Sequence, residues 1–492
     1  MVEFLPGMRL FLNGWTDKEN GFYDVVLKLK KSGHQIIYWS AFNILKDIKI
    51  SEFPGTIFHD SFDALQLKPA PEVDTSNFLP ISAELAKEFC EMEDIVLTMM
   101  NKKYERFSVD ERKHIYYNLL SYWMGVLEQY KPDAIIFQIL PHTVFDFIIY
   151  NIAKKLNIKT LLFKLTTLGD RLFLLNDYKI YPPLLRDWRN FSQNFRLEDL
   201  NEDIREIYLR HKKDKDDEQE ANPHVQYIHN VLKAYSNWNL VQKKINVGLN
   251  SLRDFSFFKK LFWFFRKQFQ SDLKTEYLSV QSPVDWNKKF VYVTLSYQPE
   301  CATSPQGGIF VDQLLMLETL SSVLPKEWVI YVKEHPFQWL PRGLIYFSYR
   351  YRNYYRKIAN LKNVKIIPIE TNSFELIRNC VAVANVTGSS ALESVLRLKP
   401  ALIFGYEWYQ NCPGIFQVSG PEDCRHALEQ IKKGAVPTEA QLINYLVLVG
   451  RCTFRGYIDP PTEIDPSISS KENTENLSRA LLLELGKIKG SY

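Results

Sequence analysis

Two rhythms of apolar and polar positions divide this chain. Near the amino terminus, MRLFLNGW (8–15) is an apolar run of strand length, GFYDVVLKLKKSG (21–33) repeats apolar residues at helical spacing up to Gly33, and HQIIYWS (34–40) is strand-like again. That is a β-α-β unit. A second is formed by DAIIFQIL (133–140), TVFDFIIYNIAKKLN (143–157) and IKTLLFKL (158–165), with a helical insertion read over 82–130. In the C-terminal half the strand-like segments are KFVYVTLSY (289–297), EWVIYVKE (327–334), NVKIIPIE (363–370), CVAVANV (380–386) and PALIFG (400–405), separated by helical stretches. Near-continuous apolar runs alternating with helices predict parallel sheets covered on both faces.

The expected organisation is an α/β chain of two doubly wound, Rossmann-like domains. An N-terminal domain covers 1–195, a helical connector 196–285, a second α/β domain 286–435, and a helical tail 436–492, broken by the loop at Pro460 and Pro461. Within the connector, HKKDKDDEQEANP (211–223) has the composition of a solvated linker. No internal repeat of short fixed period is present.

Composition narrows the class. In 492 residues, hydrophobic side chains make up 46% and charged ones 24%, which excludes wholesale disorder. A net charge of +4 gives no warrant for nucleic-acid binding. The six cysteines are scattered without a C-x-x-C pair or zinc spacing, which suits a reducing compartment and predicts no metal site. The first residues lack the pattern of a signal peptide, and no apolar stretch reaches the roughly 18 residues of a spanning helix. A cytoplasmic protein is expected, with peripheral contact on the inner face of the plasma membrane as an open option. That option rests on FSFFKKLFWFFRKQF (255–269), which as a helix places Phe258, Leu261, Phe262, Phe265 and Phe269 on one side and Lys259, Trp263, Arg266 and Lys267 on another. Such a helix fits a membrane interface or a connector packed between domains.

Ligands of open parallel sheets gather at the carboxyl ends of the strands, so the chemistry is sought there. Lys333, Glu334, His335 and Pro336 follow the strand WVIYV; they fit a surface turn or a phosphate contact in which His335 donates to, or offsets the charge of, a departing nucleotide. NVTGSSALESVLRLKP (385–400) is strand, turn and helix. Ser390 and Glu393 fit a capping box, while the same turn offers Thr387, Ser389 and Ser390 as phosphate ligands, with Gly388 allowing close approach. In LSYQPECATSPQGGIFVDQ (295–313), Gln298 and Glu300 flank a proline. Glu300 reads either as an exposed loop acid or as a general base or nucleophile at an anomeric carbon, with Asp312 in reserve. In the first half, His142 and Asp146, and Asp170 and Arg171, lie at strand ends. They suit either acceptor binding or helix capping with a surface ion pair.

YQPE with GGIFVDQ, YVKEHP, and NVTGSSALESVLRLKPALIFGYEWY together resemble the capsule polysaccharide biosynthesis family of glycosyltransferases, which includes enzymes adding Kdo from a CMP-activated donor. The likeness spans about 290–410 and extends weakly to PDAIIFQILPH. It implies a two-domain GT-B fold, with donor nucleotide on the C-terminal domain and glycan acceptor on the N-terminal one. The chain is also similar to bacterial sialyltransferases, in which a His-Pro pair and a Ser-Ser or Ser-Thr pair hold the donor phosphate; the matching positions are His335-Pro336 and Ser389-Ser390. These likenesses imply a metal-independent transfer without cofactor, from a nucleotide sugar, CMP-linked Kdo or another acidic sugar, to a glycan or glycolipid, with capsule-assembly proteins as possible partners. His335, Ser389 and Ser390 would hold the phosphate, Lys333 would add charge, and the loop from Pro368 and Ile369 to Asn372 would line the base pocket. One departure is that Pro299-Glu300-Cys301-Ala302 leaves Glu300 as the lone carboxylate where relatives are more acidic. Two alternatives stand beside this reading: a nucleotide-sugar epimerase of the same architecture, and a non-catalytic scaffold in capsule assembly.

Overall fold

A computed structural model describes residues 7–104, 106–191, 193–212, 273–298, 303–339, 350–458 and 467–489. Its strands are β1 Arg9–Asn13, β2 Gln35–Ala41, β3 Ile57–Asp60, β4 Ala134–Phe137, β5 Lys159–Leu165, β6 Arg171–Leu175, β7 Phe290–Thr294, β8 Val329–Lys333, β9 Val364–Ile366, β10 Ala382–Asn385, β11 Ala401–Ile403, β12 Ile415–Gln417 and β13 Phe454–Arg455. They form two sheets, ordered β13-β6-β5-β4-β1-β2-β3 and β12-β11-β10-β7-β8-β9. The chain divides into two compact units, the first comprising Met1–Arg205, Ser304–Gly308 and Ile443–Tyr492, the second Glu206–Thr303 and Ile309–Leu442.

In the first unit, β5, β4, β1, β2 and β3 run parallel. The middle of β1 and all of β4 are buried, as expected of strands covered on both faces. The stretch read as a helical insertion holds the helices Ala83–Glu88, Cys90–Met99 and Val109–Tyr130, the last with a capping box between Ser108 and Glu111 at its amino end. Two features depart from the expected organisation. The chain turns back after β5 to make β6 antiparallel to it, and β13 adds antiparallel to β6. The second departure comes from the segment read as a separate tail. Its helix Ser470–Lys489 sets Leu477, Leu481 and Leu485, four residues apart, into the same core as Val25 and Leu29 of the helix Phe22–Lys31.

The second unit is parallel throughout. Numbered from its own first strand, its order is 6-5-4-1-2-3, the doubly wound arrangement of dinucleotide-binding folds. Its core is apolar on both faces, with Val291, Val293, Ile330, Val332, Ala382 and Ala384 inaccessible to solvent. Connections from β7 leave in opposite directions, to β8 on one side and eventually to β10 on the other, so a crevice opens between the ends of β7 and β10. That topology decides where a ligand finds main-chain N–H groups. Of the connector, the helices Glu202–Lys212 and Leu273–Val280 are described, and the aromatic-basic segment 255–269 lies outside the described residues. No described helix is long and apolar enough to cross a membrane.

Candidate functional site

The pairing of Ala384 with Val293 sets Asn385, the last residue of β10, level with Thr294, the last of β7. Both strands then end in polar side chains at the crevice. Asn385 is fully buried and binds the turn after it three ways. Its Oδ1 accepts from Gly388 N at 3.1 Å, and its Nδ2 donates to Gly388 O at 3.0 Å and to Ser390 Oγ at 2.8 Å. Thr294 Oγ1 lies 2.8 Å from the same Ser390 hydroxyl, and Tyr409 OH donates to Gly388 O at 2.6 Å. The helix Ser389–Leu396 starts directly from this clamp, its cap being Gly388. The expected capping box of Ser390 and Glu393 is therefore not formed. The helix begins at Ser389, so Ser390 lies inside the first turn with its hydroxyl taken up by Asn385 and Thr294, and it is Ser389 Oγ that donates to Glu393, at 3.1 Å. Ser389 and Ser390 are half-exposed and Thr387 is buried. A turn of this kind presents N–H groups and a hydroxyl at the positive end of a helix.

At the end of β8, Lys333 and Glu334 are buried and His335 is half-buried. Lys333 Nζ donates to Thr371 O and, at 2.8 Å, to Ser373 Oγ, so its ammonium braces the loop holding Pro368 and Ile369, both half-buried. Glu334 anchors its own loop. Its carboxylate accepts from His335 N at 2.7 Å, from Tyr355 OH at 2.7 Å, and from Arg350 Nε and Nη2 at 3.0 and 3.2 Å. Burial works against the Arg350 charge, but Glu334, Tyr354 and Tyr355 together outweigh it and hold the guanidinium above its ordinary range. His335 Nδ1 accepts from Phe337 N at 3.1 Å, which places the proton of the neutral ring on Nε2 and makes that atom a donor. The ring packs against Tyr297 and Phe337, with centroids 5.7 and 5.3 Å away.

The loops after β7 and β8 are tied together. Gln298 N donates to Gln338 Oε1 at 3.0 Å, Gln338 Nε2 returns to Gln298 O at 3.2 Å, and Arg350 Nη2 reaches Ser296 O at 3.0 Å. Gln298 Nε2 also donates to Thr303 Oγ1 at 2.6 Å. Glu300 lies outside the described residues. Asp312 is exposed and caps the helix Gln313–Val323 through Leu314 N. The carboxyl ends of β8, β7 and β10, adjacent and parallel, thus bring His335, Thr294, Asn385 and Ser390 to one edge of one sheet.

In the first unit, His142 and Asp146 follow β4, and Asp170 and Arg171 form the end of the β5–β6 turn, all at the carboxyl edge of the parallel strands. His142 Nδ1 donates to Leu140 O at 2.9 Å, so the neutral form of the ring has its lone pair on Nε2. Asp146 is buried in the first turn of the helix Val144–Lys155 and accepts from Thr143 N at 2.7 Å. Burial pushes its carboxyl up to about 6 against the opposing pull of His142. Arg171, also buried, makes a two-point ion pair with Asp203 at 2.6 and 3.2 Å and donates to Thr453 Oγ1 at 3.1 Å. Asp170 accepts from Ser467 N at 2.6 Å. These last two side chains stitch the β6 edge to the returning C-terminal segment.

Thr294, Asn385, Arg350 and Tyr409 were not singled out from the sequence. For the first two a signal exists: a polar residue closes each of the apolar runs FVYVT and AVAN.

Residues 287–446 match the family model described as capsule polysaccharide biosynthesis protein. The family resemblance read from the sequence is borne out over that region, which holds the whole edge just described. No curated protein matches the chain. Among solved structures, a Thermosulfurimonas dismutans KpsC, a β-Kdo 2,7 transferase, is 13% identical, covering 73% of this chain and 89% of its own at a TM-score of 0.28. A UDP-GlcNAc 2-epimerase from Neisseria meningitidis, bound to UDP-GlcNAc, is 12% identical over 90% and 98% of the two chains at 0.26, and one from Methanocaldococcus jannaschii is 13% identical over 90% and 99% at 0.23. At such TM-scores the superpositions are loose. The doubly wound topology stands on this chain's own strand pairing.

Proposed function

We propose that this protein is a capsule glycosyltransferase that takes its sugar from a nucleotide donor bound at the carboxyl edge of the second sheet. The observation that carries the reading is the placement, inside the region matching the capsule family, of the Ser390 hydroxyl after β10, beside a helix start, and of the protonated Nε2 of His335 after β8, at the same edge of the sheet on either side of β7. A departing nucleotide phosphate gains negative charge, and pre-oriented donors stabilise that charge without reorganising. Ser389, Ser390, Gly388 and His335 serve the phosphate. Pro336 and Gln298 shape the loops on either side, and the stretch from Pro368 lines the base. A CMP-linked acidic sugar such as Kdo is the donor that the family resemblance favours. Glu300, as base or nucleophile, and an acceptor held beside His142 complete the proposal, while Asp146, Asp170 and Arg171 hold the main chain around that edge through their bonds to Thr143, Ser467 and Asp203.

The test is incubation with CMP-, UDP- and GDP-sugars, with and without a lipid-linked glycan, following nucleotide release. Acceptor-dependent release from one donor supports the transferase. Interconversion of a UDP-sugar with its epimer and no acceptor dependence identifies an epimerase instead, and failure to bind any nucleotide leaves the scaffold reading.

A further inference from the structure

We infer that Asn385 is a positioning residue that fixes the direction of the Ser390 hydroxyl proton, and that its role is specific to the phosphate of the bound nucleotide. The inference rests on the donor-site reading above. The orientation of the Asn385 amide follows from its partners. Gly388 N is a donor, so the atom facing it must be Oδ1. Nδ2 then faces Gly388 O and Ser390 Oγ and donates to both. Ser390 is thereby an acceptor towards Asn385, and its single proton has to go elsewhere. Thr294 Oγ1 is the other neighbour at 2.8 Å. If Thr294 donates, both lone pairs of Ser390 Oγ are occupied and the Ser390 proton is left for a ligand that only accepts.

An anionic phosphate oxygen is such a ligand, and a sugar hydroxyl is a poorer one. In the absence of ligand the shared Thr294–Ser390 bond can run either way. An anion selects one direction, while the fully buried Asn385 holds its end in both states. Asn385 also keeps the turn itself in place: it binds both the N–H and the C=O of Gly388, and a Cβ at Gly388 would come within 3.0 Å of Asn385 Nδ2. Its amide therefore sets the hydroxyl and the main chain together.

Asn385→Asp tests this, because it keeps an acceptor for Gly388 N and removes both donated bonds. The full-length variant is titrated calorimetrically with CMP and cytidine, and with UDP and uridine, and its thermal transition is compared with that of the parent. Hydrogen bonds to charged groups set the scale, so the nucleotide that the parent prefers should bind at least about tenfold more weakly, with the matching nucleoside unchanged. Thr294→Val, nearly isosteric, should produce a smaller loss with the same selectivity for phosphate, and it carries the test if Asn385→Asp does not fold. Combining Asn385→Asp with Ser390→Ala should weaken binding no further than Asn385→Asp alone. Equal losses for nucleotide and nucleoside, unchanged nucleotide affinity, or additive effects in the double variant would each overturn the inference. A parent protein that binds nucleotide no better than nucleoside would instead overturn the donor-site reading.

Discussion

Replacing Glu334 by Gln leaves Arg350 without its counter-charge in a place water does not reach. The two side chains are 0% and 3% exposed, and four hydrogen bonds converge on the carboxylate, from Arg350 twice, Tyr355 and His335 N. A glutamine has one accepting atom. Whichever way the amide turns, its NH2 faces an N–H of the guanidinium, because each carboxylate oxygen accepts from Arg350. Stranding a buried charge costs about 3–5 kcal/mol, a large share of the stability of an ordinary domain. Removing the cation as well, in Glu334→Gln with Arg350→Met, eliminates the stranded charge and should leave a cost of about 1–2 kcal/mol, from the lost bonds of Tyr355 OH and Ser296 O. Urea unfolding followed by circular dichroism of Glu334→Gln, Arg350→Met and the double variant gives the three numbers, and titration with the nucleotide that the parent protein prefers supplies an independent readout. In the single variant the glutamine oxygen keeps either His335 N, in the Oε1 place, or Tyr355 OH, in the Oε2 place, and its NH2 opposes the guanidinium in both, so nucleotide affinity falls with stability. In the double variant no guanidinium opposes the NH2, the oxygen stays on His335 N and affinity recovers in part. A single-variant loss below about 1 kcal/mol, or a double-variant loss equal to the sum of the two single losses, would refute the view that this pair is held by mutual charge compensation.

Three further outcomes follow from buried groups and close contacts. Asp146 has a carboxyl raised to about 6, so its ionisation in the folded state costs stability as pH rises from about 4 and fully above 6; Asp146→Asn should raise the unfolding midpoint at pH 8, by up to about 3 kcal/mol, and change little at pH 4. His211 is held neutral chiefly by burial and then by Arg397, whose Nη1 donates to its Nδ1 at 2.9 Å, with a value lowered to about 3. The unfolded chain therefore takes up a proton below about 6.5 that the folded one refuses. That subtracts roughly 1.4 kcal/mol per pH unit down to about 3, a slope that His211→Gln should remove in urea melts at pH 7 and pH 5. Gly388→Ala brings a methyl to within 3.0 Å of Asn385 Nδ2 and 3.3 Å of its Cγ and should cost about 1 kcal/mol by overpacking, with affinity for the nucleotide that the parent prefers falling about tenfold by displacement of the turn.

What the sequence discloses and what it hides follow from range. Short apolar runs such as FVYVT and WVIYV mark their strands because parallel strands are buried on both faces, and the polar residue ending each run marks the edge where chemistry sits. β12 and β13 escape because strands of three and two residues, partly exposed, leave no period to read. β3 and β6 go unread as well: IFHD is too short to show a period, and RLFLL, though as apolar as its neighbours, discloses its reversed direction only through its partner. Arg350 follows Glu334 by sixteen positions, and Thr294 precedes Ser390 by ninety-six, so no local pattern links either pair. The misplaced capping box has a local cause. Gly388 provides the extended residue before the helix, which moves the start one position ahead of Ser390.

The two histidines at strand ends show how a neighbouring residue with no polar side chain sets proton chemistry. In His335-Pro336-Phe337 the proline follows the histidine and has no N–H, so the first main-chain donor after the ring is Phe337 N; Nδ1 accepts it, and the proton resides on Nε2. In Leu140-Pro141-His142 the proline precedes, and the ring turns back to the carbonyl of Leu140; Nδ1 must donate, and in the neutral ring the lone pair lies on Nε2. A protonated Nε2 suits a group that accepts, such as a phosphate oxygen, whereas a lone pair suits a group that donates, such as a hydroxyl. Each imidazole is thus specified before any ligand arrives, by the order of two adjacent residues. Exchanging the roles would require changing the main chain around the ring, and Glu334 secures that main chain on the second sheet by binding His335 N.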